Sequence, residues 1–310
     1  MSISYSLPLS KGWNRMKKAL FQPFDITKWF RIGFTAWLAG LTDCNGGSGS
    51  GNTNVNDKTD WVEFFNFPQT AHEWLLENPL WFGLIIAGLI LIFIIVTILV
   101  WISSRGKFMF LHNVALEKSD ISIPWHEYRK EGNSLFLWNF FYGWVTFLSF
   151  MAFLVHCFLT AKMLFFGDFD QLAVLGSIAG LVLILIAYII VFGYISTFVD
   201  SFVIPIMFKN RVGILNGWSQ FLSLLAKNIF SFILFGLFYF VLGIGIVIAV
   251  IFFALLTCCI GLLLLAIPYI GAVVLLPVSY TIRAFSIEFL SQFGDEYNVF
   301  PKEPEMNVKN

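Results

Sequence analysis

The chain has 310 residues, of which 58% are hydrophobic and only 12% charged, with a mean hydropathy of +0.80. A soluble domain carries about 25% charged residues, so this chain has too few to wet an ordinary surface. Nineteen basic residues balance nineteen acidic ones, which leaves no basic excess of the kind nucleic acid requires.

Residues 1–25 read as a cytoplasmic amphipathic segment. Trp13, Met16 and Leu20 share one helical face, opposite Lys17 and Lys18. Lys11, Arg15, Lys17, Lys18, Lys28 and Arg31 interrupt the first thirty or so residues, which is not the pattern of a cleaved signal peptide. Next comes Ile26–Leu41. Its purely apolar part, Ile32–Leu41, is about 15 Å long as a helix, half of a hydrocarbon core of about 30 Å. Length alone makes it interfacial or re-entrant, whereas the charge pattern below favours crossing. Residues 42–78 form the longest outer loop. Its portion Asn45–Asn56 (NGGSGSGNTNVN) has almost nothing to bury and should be flexible. Trp61, Phe64, Phe65, Phe67, Trp74 and Trp81 follow at the density of an interfacial belt, a ligand-binding aromatic patch being the alternative.

Four strong spans come next: Leu80–Ile102, Ser134–Ala161, Leu172–Val199 and Asn228–Leu256. No Asp, Glu, Lys or Arg occurs between Lys227 and Arg283. As one straight helix that stretch would run about 80 Å, so the chain turns back within it and a fifth span, Cys258–Ile282, follows. Pro268 and Pro277 should bend that last span. Residues 283–310 form a cytoplasmic exit helix and tail. Helix is the choice throughout, because lipid offers backbone groups no partners and runs such as Leu89–Ile95 lack the alternation of a barrel strand. With Ile26–Leu41 crossing and both termini inside, seventeen of the nineteen Lys and Arg fall on inner segments, leaving Lys58 and Lys162 outside. That matches the positive-inside rule. The expected fold is therefore an all-α polytopic transmembrane bundle, one membrane domain over 1–310. It has six spans, arranged as three helical hairpins with amphipathic inner elbow helices.

The hairpins carry hints of a threefold repeat. Each is preceded by a short segment bearing Trp13, Trp125 or Trp218. The first has the face described above, the second places Pro124 in the first turn of its helix beside Trp125 and Tyr128, and the third groups Trp218, Phe221, Leu222 and Leu225. Each hairpin is followed by an exit with an apolar pair: Phe108 and Leu111, Phe202 and Ile206, or Phe285 and Phe289. Tryptophan anchors on the inner loops of any membrane protein would look the same. Arg105, Asp200 and Arg283 stand at corresponding exits, and Asp200 is expected to pair with one or both arginines.

A resemblance is carried by Pro23-Phe24-Asp25, Trp29-Phe30-Arg31-Ile32-Gly33-Phe34 and Ala36-Trp37-Leu38-Ala39-Gly40. It continues through Arg105-Gly106-Lys107-Phe108-Met109-Phe110, Asn113-Val114, Tyr128-Arg129 and Glu131-Gly132-Asn133-Ser134. The layout resembles a broad group of bacterial six-span membrane proteins, related in architecture to the membrane domain attached to some glycerophosphodiester phosphodiesterases. No soluble segment is long enough for the catalytic barrel, so the resemblance implies a membrane module and no catalytic residue.

The chemistry is sparse. Spans of pumps and membrane enzymes place ionisable groups at depth, and the middles of the confident spans here hold none. Asn139 and Thr146 read as helix bridges, and Tyr188, Tyr194, Tyr239 and Tyr269 as packed rings with satisfied hydroxyls. His72, His112, His126 and His156 lack ligand-spaced partners, and His72 and His156 fall on the opposite side from the other two. No catalytic, cofactor-binding or metal-ligating residue is assigned, and no cofactor is expected. Cys44, Cys157, Cys258 and Cys259 lie near outer span ends, where disulfides are permitted, although buried free thiols fit the positions better. Small-residue strips at Gly176, Ser177 and Gly180, at Gly83, Ala87 and Gly88, and at Gly236, Gly243 and Gly245 should pack within the bundle, a homodimer face being the alternative. The expected partners are the lipid bilayer and a homo-oligomer or other membrane protein. The functional expectation is a non-enzymatic module organising lipid or a partner protein in the cell membrane. The alternative is a channel or permease for a small or lipidic solute.

Overall fold

A computed structural model describes residues 3–42, 58–167, 169–257, 261, 264, 265 and 267–301, and every regular element among them is helical. In chain order these are α1 (Ser6–Phe21), α2 (Ile26–Ala39), α3 (Lys58–Glu77), α4 (Pro79–Leu116), α5 (Ser122–Glu127), α6 (Arg129–Phe166) and α7 (Gln171–Phe198). A π-turn (Val199–Val203) then leads into α8 (Ile204–Asn210), α9 (Ile214–Lys227), α10 (Ile229–Leu256), α11 (Pro268–Val274) and α12 (Leu276–Leu290). Short 3-10 turns at Ser291–Phe293 and Asp295–Tyr297 follow.

Among the described residues four helical stretches are long and apolar enough to cross a membrane: Pro79–Leu116, Arg129–Phe166, Gln171–Asn210 and Ile229–Leu256. They contain the four strong predicted spans. The other two expected spans do not take that form. α2 has 14 residues, or about 21 Å of helix. The predicted span Cys258–Ile282 lies partly outside the described residues, and its last part is two helices meeting at Leu275. The sequence suggested a single helix bent at its prolines. Instead each proline opens a helix, Pro268 as the first residue of α11 and Pro277 as the second of α12. A proline in mid-helix removes a hydrogen bond and its ring strikes the preceding turn. In the first turn its missing N–H costs nothing. The expected flexible stretch Asn45–Asn56 lies outside the described residues.

The chain divides into two compact units, Met1–Thr42 with Val100–Phe141 and Ile190–Asn310, and Asp43–Leu99 with Tyr142–Ile189. The first holds the main apolar core. Its residues come from helix ends, and the three exit pairs predicted from sequence all join it: Phe108 and Leu111, Phe202 and Ile206, Phe285 and Phe289. Phe202 lies 5.4 Å from Phe221, 4.7 Å from Phe235 and 5.9 Å from Phe289, between ring centroids. α1 packs along α12, and a Cβ on Gly12 would come within 2.9 Å of the Phe285 amide nitrogen. This close approach turns α1. Its buried face is Pro8, Gly12, Met16, Ala19 and Leu20, while Trp13, expected on that face, is 46% exposed. On α9 the buried positions are Ile214, Gly217, Phe221 and Leu224, and the predicted Leu222 is exposed.

In the second unit, α3 occupies much of what reads in sequence as an outer loop. Its Phe65 is buried among Phe158, Phe165 and Phe166, at 5.6, 5.4 and 5.9 Å. Phe64, Phe67 and Trp74 on α3 and Trp81 at the start of α4 are exposed.

Polarity runs the opposite way from that of a soluble protein. Along α4, none of the residues from Pro79 to Ile102 is buried, whereas every residue from Ser103 to Ala115 is. The first stretch is mostly Leu, Ile, Phe and Val and holds no charged residue. The second contains Ser103, Ser104, Arg105, Lys107, His112 and Asn113.

Candidate functional site: a polar cluster at the helix ends

The polar contacts round Asp200 start from a single proline. Pro205 has no N–H and its ring would collide with the carbonyl of Ser201 in a regular α-helix. The helix widens into the π-turn Val199–Val203 instead, and the Ile204 amide donates to Val199 rather than to Asp200. The five-residue alternative donor for the Asp200 carbonyl would be Pro205 itself, which has none to give. The Arg283 guanidinium supplies the missing bond, Nη1 donating to the Asp200 carbonyl oxygen. The Asp200 carboxylate is taken by Lys107, whose Nζ lies 2.7 Å from Oδ1.

The expected pairing of Asp200 is thus half right. Arg283 reaches its backbone, but Arg105 does not reach it. Arg105 and Lys107 are two residues apart, hence about 200° apart round α4, and cannot face one partner. Arg105 turns to the start of α6. Its Nε and Nη2 donate to Asn133 Oδ1 at 3.3 and 2.9 Å, and its Cζ lies 4.4 and 4.9 Å from the ring centroids of Trp101 and Trp125.

A second group surrounds Tyr128. Its ring is stacked between Phe108 and Phe208, centroids 6.0 and 4.6 Å away, with Arg211 Cζ 4.0 Å from its centre. Arg211 also pairs with Glu127 and lies 4.0 Å from Glu131. His112 is 3% exposed, with Nδ1 3.4 Å from the Tyr128 hydroxyl and Nε2 3.9 Å from Asp120 Oδ2. Burial pushes the Tyr128 phenol up to about 12 from its usual 10, against the pull of the Arg211 charge. A raised phenol pKa stabilises the fold fully below pH 10, and that contribution is lost as pH climbs towards 12. In a spectrophotometric titration, wild type minus Tyr128→Phe should show one tyrosinate appearing near pH 12. A midpoint near 10 would mean the ring is not buried in this stack.

Other polar side chains tie helices together. Ser103 donates to the Ala39 carbonyl at 2.8 Å and bonds Thr42, joining α4 to the end of α2. Asn113 bonds the Asp120 backbone in both directions at 3.1 and 2.9 Å, closing the loop before α5. Glu288, 5% exposed, accepts from Arg15 at 2.7 Å. Asn139 is the bridge expected of it, donating to Ser104 at 3.0 Å. Thr146 is not, since its hydroxyl returns to its own helix at Tyr142 and the bridging donor is Tyr188 to the Thr146 carbonyl. Tyr194 and Tyr269 likewise donate to carbonyls of Ile233 and Phe30.

Among the described residues no group of three His, Cys, Asp or Glu could hold a metal. Cys157 is a free thiol, and Cys44, Cys258 and Cys259 lie outside the described residues. The small-residue strips correct the packing expectation. A Cβ at Gly83, Gly88, Gly176, Gly180, Gly243 or Gly245 would meet nothing within 4 Å, and of those strips only Gly236 is covered, by the Tyr194 ring. Lys107, Arg15, Glu288, Tyr128 and Arg211 were not singled out from sequence as a site. Pro205, five residues after Asp200, is a local signal that could have marked the widened turn.

A family model covers residues 8–294, nearly the whole described chain. The chain belongs to DUF7544, a family of unknown function. No curated protein and no solved structure matches it. The polar cluster of this DUF7544 chain therefore has to be interpreted from its own chemistry. It contains paired charges and a capped carbonyl.

Proposed function

We propose that this DUF7544 protein is a non-enzymatic integral membrane module, held in the cell membrane with both termini in the cytoplasm, that organises lipid or a partner protein at the inner face. The observation that carries this is the polarity reversal along α4, where 24 successive residues without burial are followed by 13 buried ones that include Arg, Lys, His and Asn. Such a chain is stable when the medium round the first stretch is hydrocarbon and the second stretch has its polar groups paired inside protein. Further crossings through Ile26–Leu41 and between α10 and α12 would keep the 17-to-2 asymmetry of Lys and Arg on the inner side. The likeness to a membrane domain without its phosphodiesterase barrel agrees with the same reading.

The test is fractionation and labelling of the full chain in cells. The protein should stay in the carbonate-washed membrane pellet. Single cysteines replacing Ser50 and Ser122 should react with an impermeant maleimide from opposite sides. Recovery in the soluble fraction would end the membrane assignment, and labelling of both positions from one side would end the threading.

A further inference from the structure

Resting on that membrane reading, we propose that the first unit carries a binding groove for one acyl chain of an anionic phospholipid, with the lipid phosphate answering the charge of Arg105 and Arg129. The groove has a volume of about 390 Å³ and opens between α2, α4 and α5. Phe34 and Leu38 line one side, Ile102 and Met109 another, and Trp101 and Trp125 form the wall nearest the polar cluster. Its size is in the range of ligand pockets, and its lining suits a hydrocarbon chain. Ser122 and His126 supply polar atoms at its edge.

The charge argument decides what kind of lipid. Arg105 is 7% exposed, yet among the described residues it forms no ion pair. Its hydrogen bonds both end on one neutral oxygen, Asn133 Oδ1, which also accepts from Trp101 Nε1 at 3.3 Å. Glu127 pairs with Arg211, and Glu131 lies 4.0 Å from Arg211 with its Oε2 buried and, among the described residues, without a hydrogen bond. Arg129, exposed at the start of α6 and also without an ion pair among the described residues, is close enough to repel Arg105. Two guanidinium groups with no anion between them are costly near a low-dielectric medium. A phosphate is the anion that arginine forks bind best. A lipid phosphate brings its chain to the indole wall that Arg105 holds in place. Free phosphate would leave the groove empty, so the lipid is the occupant.

The test uses the full chain reconstituted in vesicles containing brominated phosphatidylglycerol or brominated phosphatidylcholine with identical acyl chains. Bromine quenches tryptophan on contact, and the Trp101 and Trp125 signal is isolated as the difference between wild type and Trp101→Phe/Trp125→Phe. The phosphatidylglycerol should quench that component at least twofold more than the phosphatidylcholine. Arg129→Gln, an exposed substitution that leaves the core intact, should remove the preference, and Ser122→Phe, which fills the groove, should weaken quenching by both lipids. Equal quenching by the two lipids, or a preference that survives Arg129→Gln, overturns the proposal. If the other nine of the eleven tryptophans are quenched and this pair is not, the groove holds no lipid while the membrane reading stands. If none is quenched, the membrane reading itself fails.

Discussion

Replacing Gly106 by alanine should cost about 3 kcal/mol, the magnitude of a severe overpacking, and valine should prevent stable folding. A Cβ at this position would stand 2.7 Å from the Ala39 amide nitrogen, from the Leu38 carbonyl carbon and from Leu38 Cβ. Two of those atoms are backbone and cannot rotate away, so α2 would have to lift off α4. That movement would also break the Ser103 bond to the Ala39 carbonyl and the contact with Thr42. Gly88, on the same helix, is the control. Nothing lies within 4 Å of its Cβ position, so Gly88→Ala should be neutral or stabilise by about 0.5–1 kcal/mol through helix propensity. Thermal unfolding of both variants in mild detergent, followed by fluorescence-detected size exclusion, reads the difference. Equal melting temperatures would mean that α2 does not cross α4 at Gly106.

The contrast between these two glycines shows what could be read from sequence. The four long spans were legible because hydrophobicity acts over some twenty residues and needs no partner to be identified. The exit pairs Phe108–Leu111, Phe202–Ile206 and Phe285–Phe289 were legible as apolar positions one turn apart, and all six enter one core. The break before Pro277 was foreseen as a bend, since sequence marks where a helix is interrupted but not whether the following turn restarts it. Gly88 lies in an apolar run and Gly106 between Arg105 and Lys107, and neither context reveals the crossing of α2 that makes only Gly106 tight. Trp13 was expected to share a face with Met16 and Leu20 because their spacing fits one side of a helix. The face was decided by Gly12, which lets α1 approach the backbone of α12 closely. The Lys107–Asp200 pair joins positions 93 residues apart, and nothing local specifies it.

That pair sets the second large effect. Asp200→Asn should destabilise the protein by about 2–3 kcal/mol, below the 3–5 kcal/mol of a fully buried broken pair. The discount follows from exposure: the Lys107 side chain is 9% exposed but that of Asp200 is 29% exposed, so water screens part of the loss. Substitution at 200 removes the carboxylate and leaves the backbone carbonyl, so the Arg283 bond should survive. Arg283→Met does the reverse, depriving a carbonyl that the π-turn has already separated from its helix donors, at about 1–3 kcal/mol. The two losses act on different atoms of one residue in direct contact with Arg283, so their double variant should depart from additivity. Asp200→Asn with Lys107→Met should behave differently, because removing both charges leaves neither one buried alone. The double variant should recover more than half of the single-variant loss in the same melting assay. A double variant no better than Asp200→Asn alone would show that Lys107 draws no net stabilisation from that carboxylate. Asp200 would then be held by the Arg283 bond to its carbonyl.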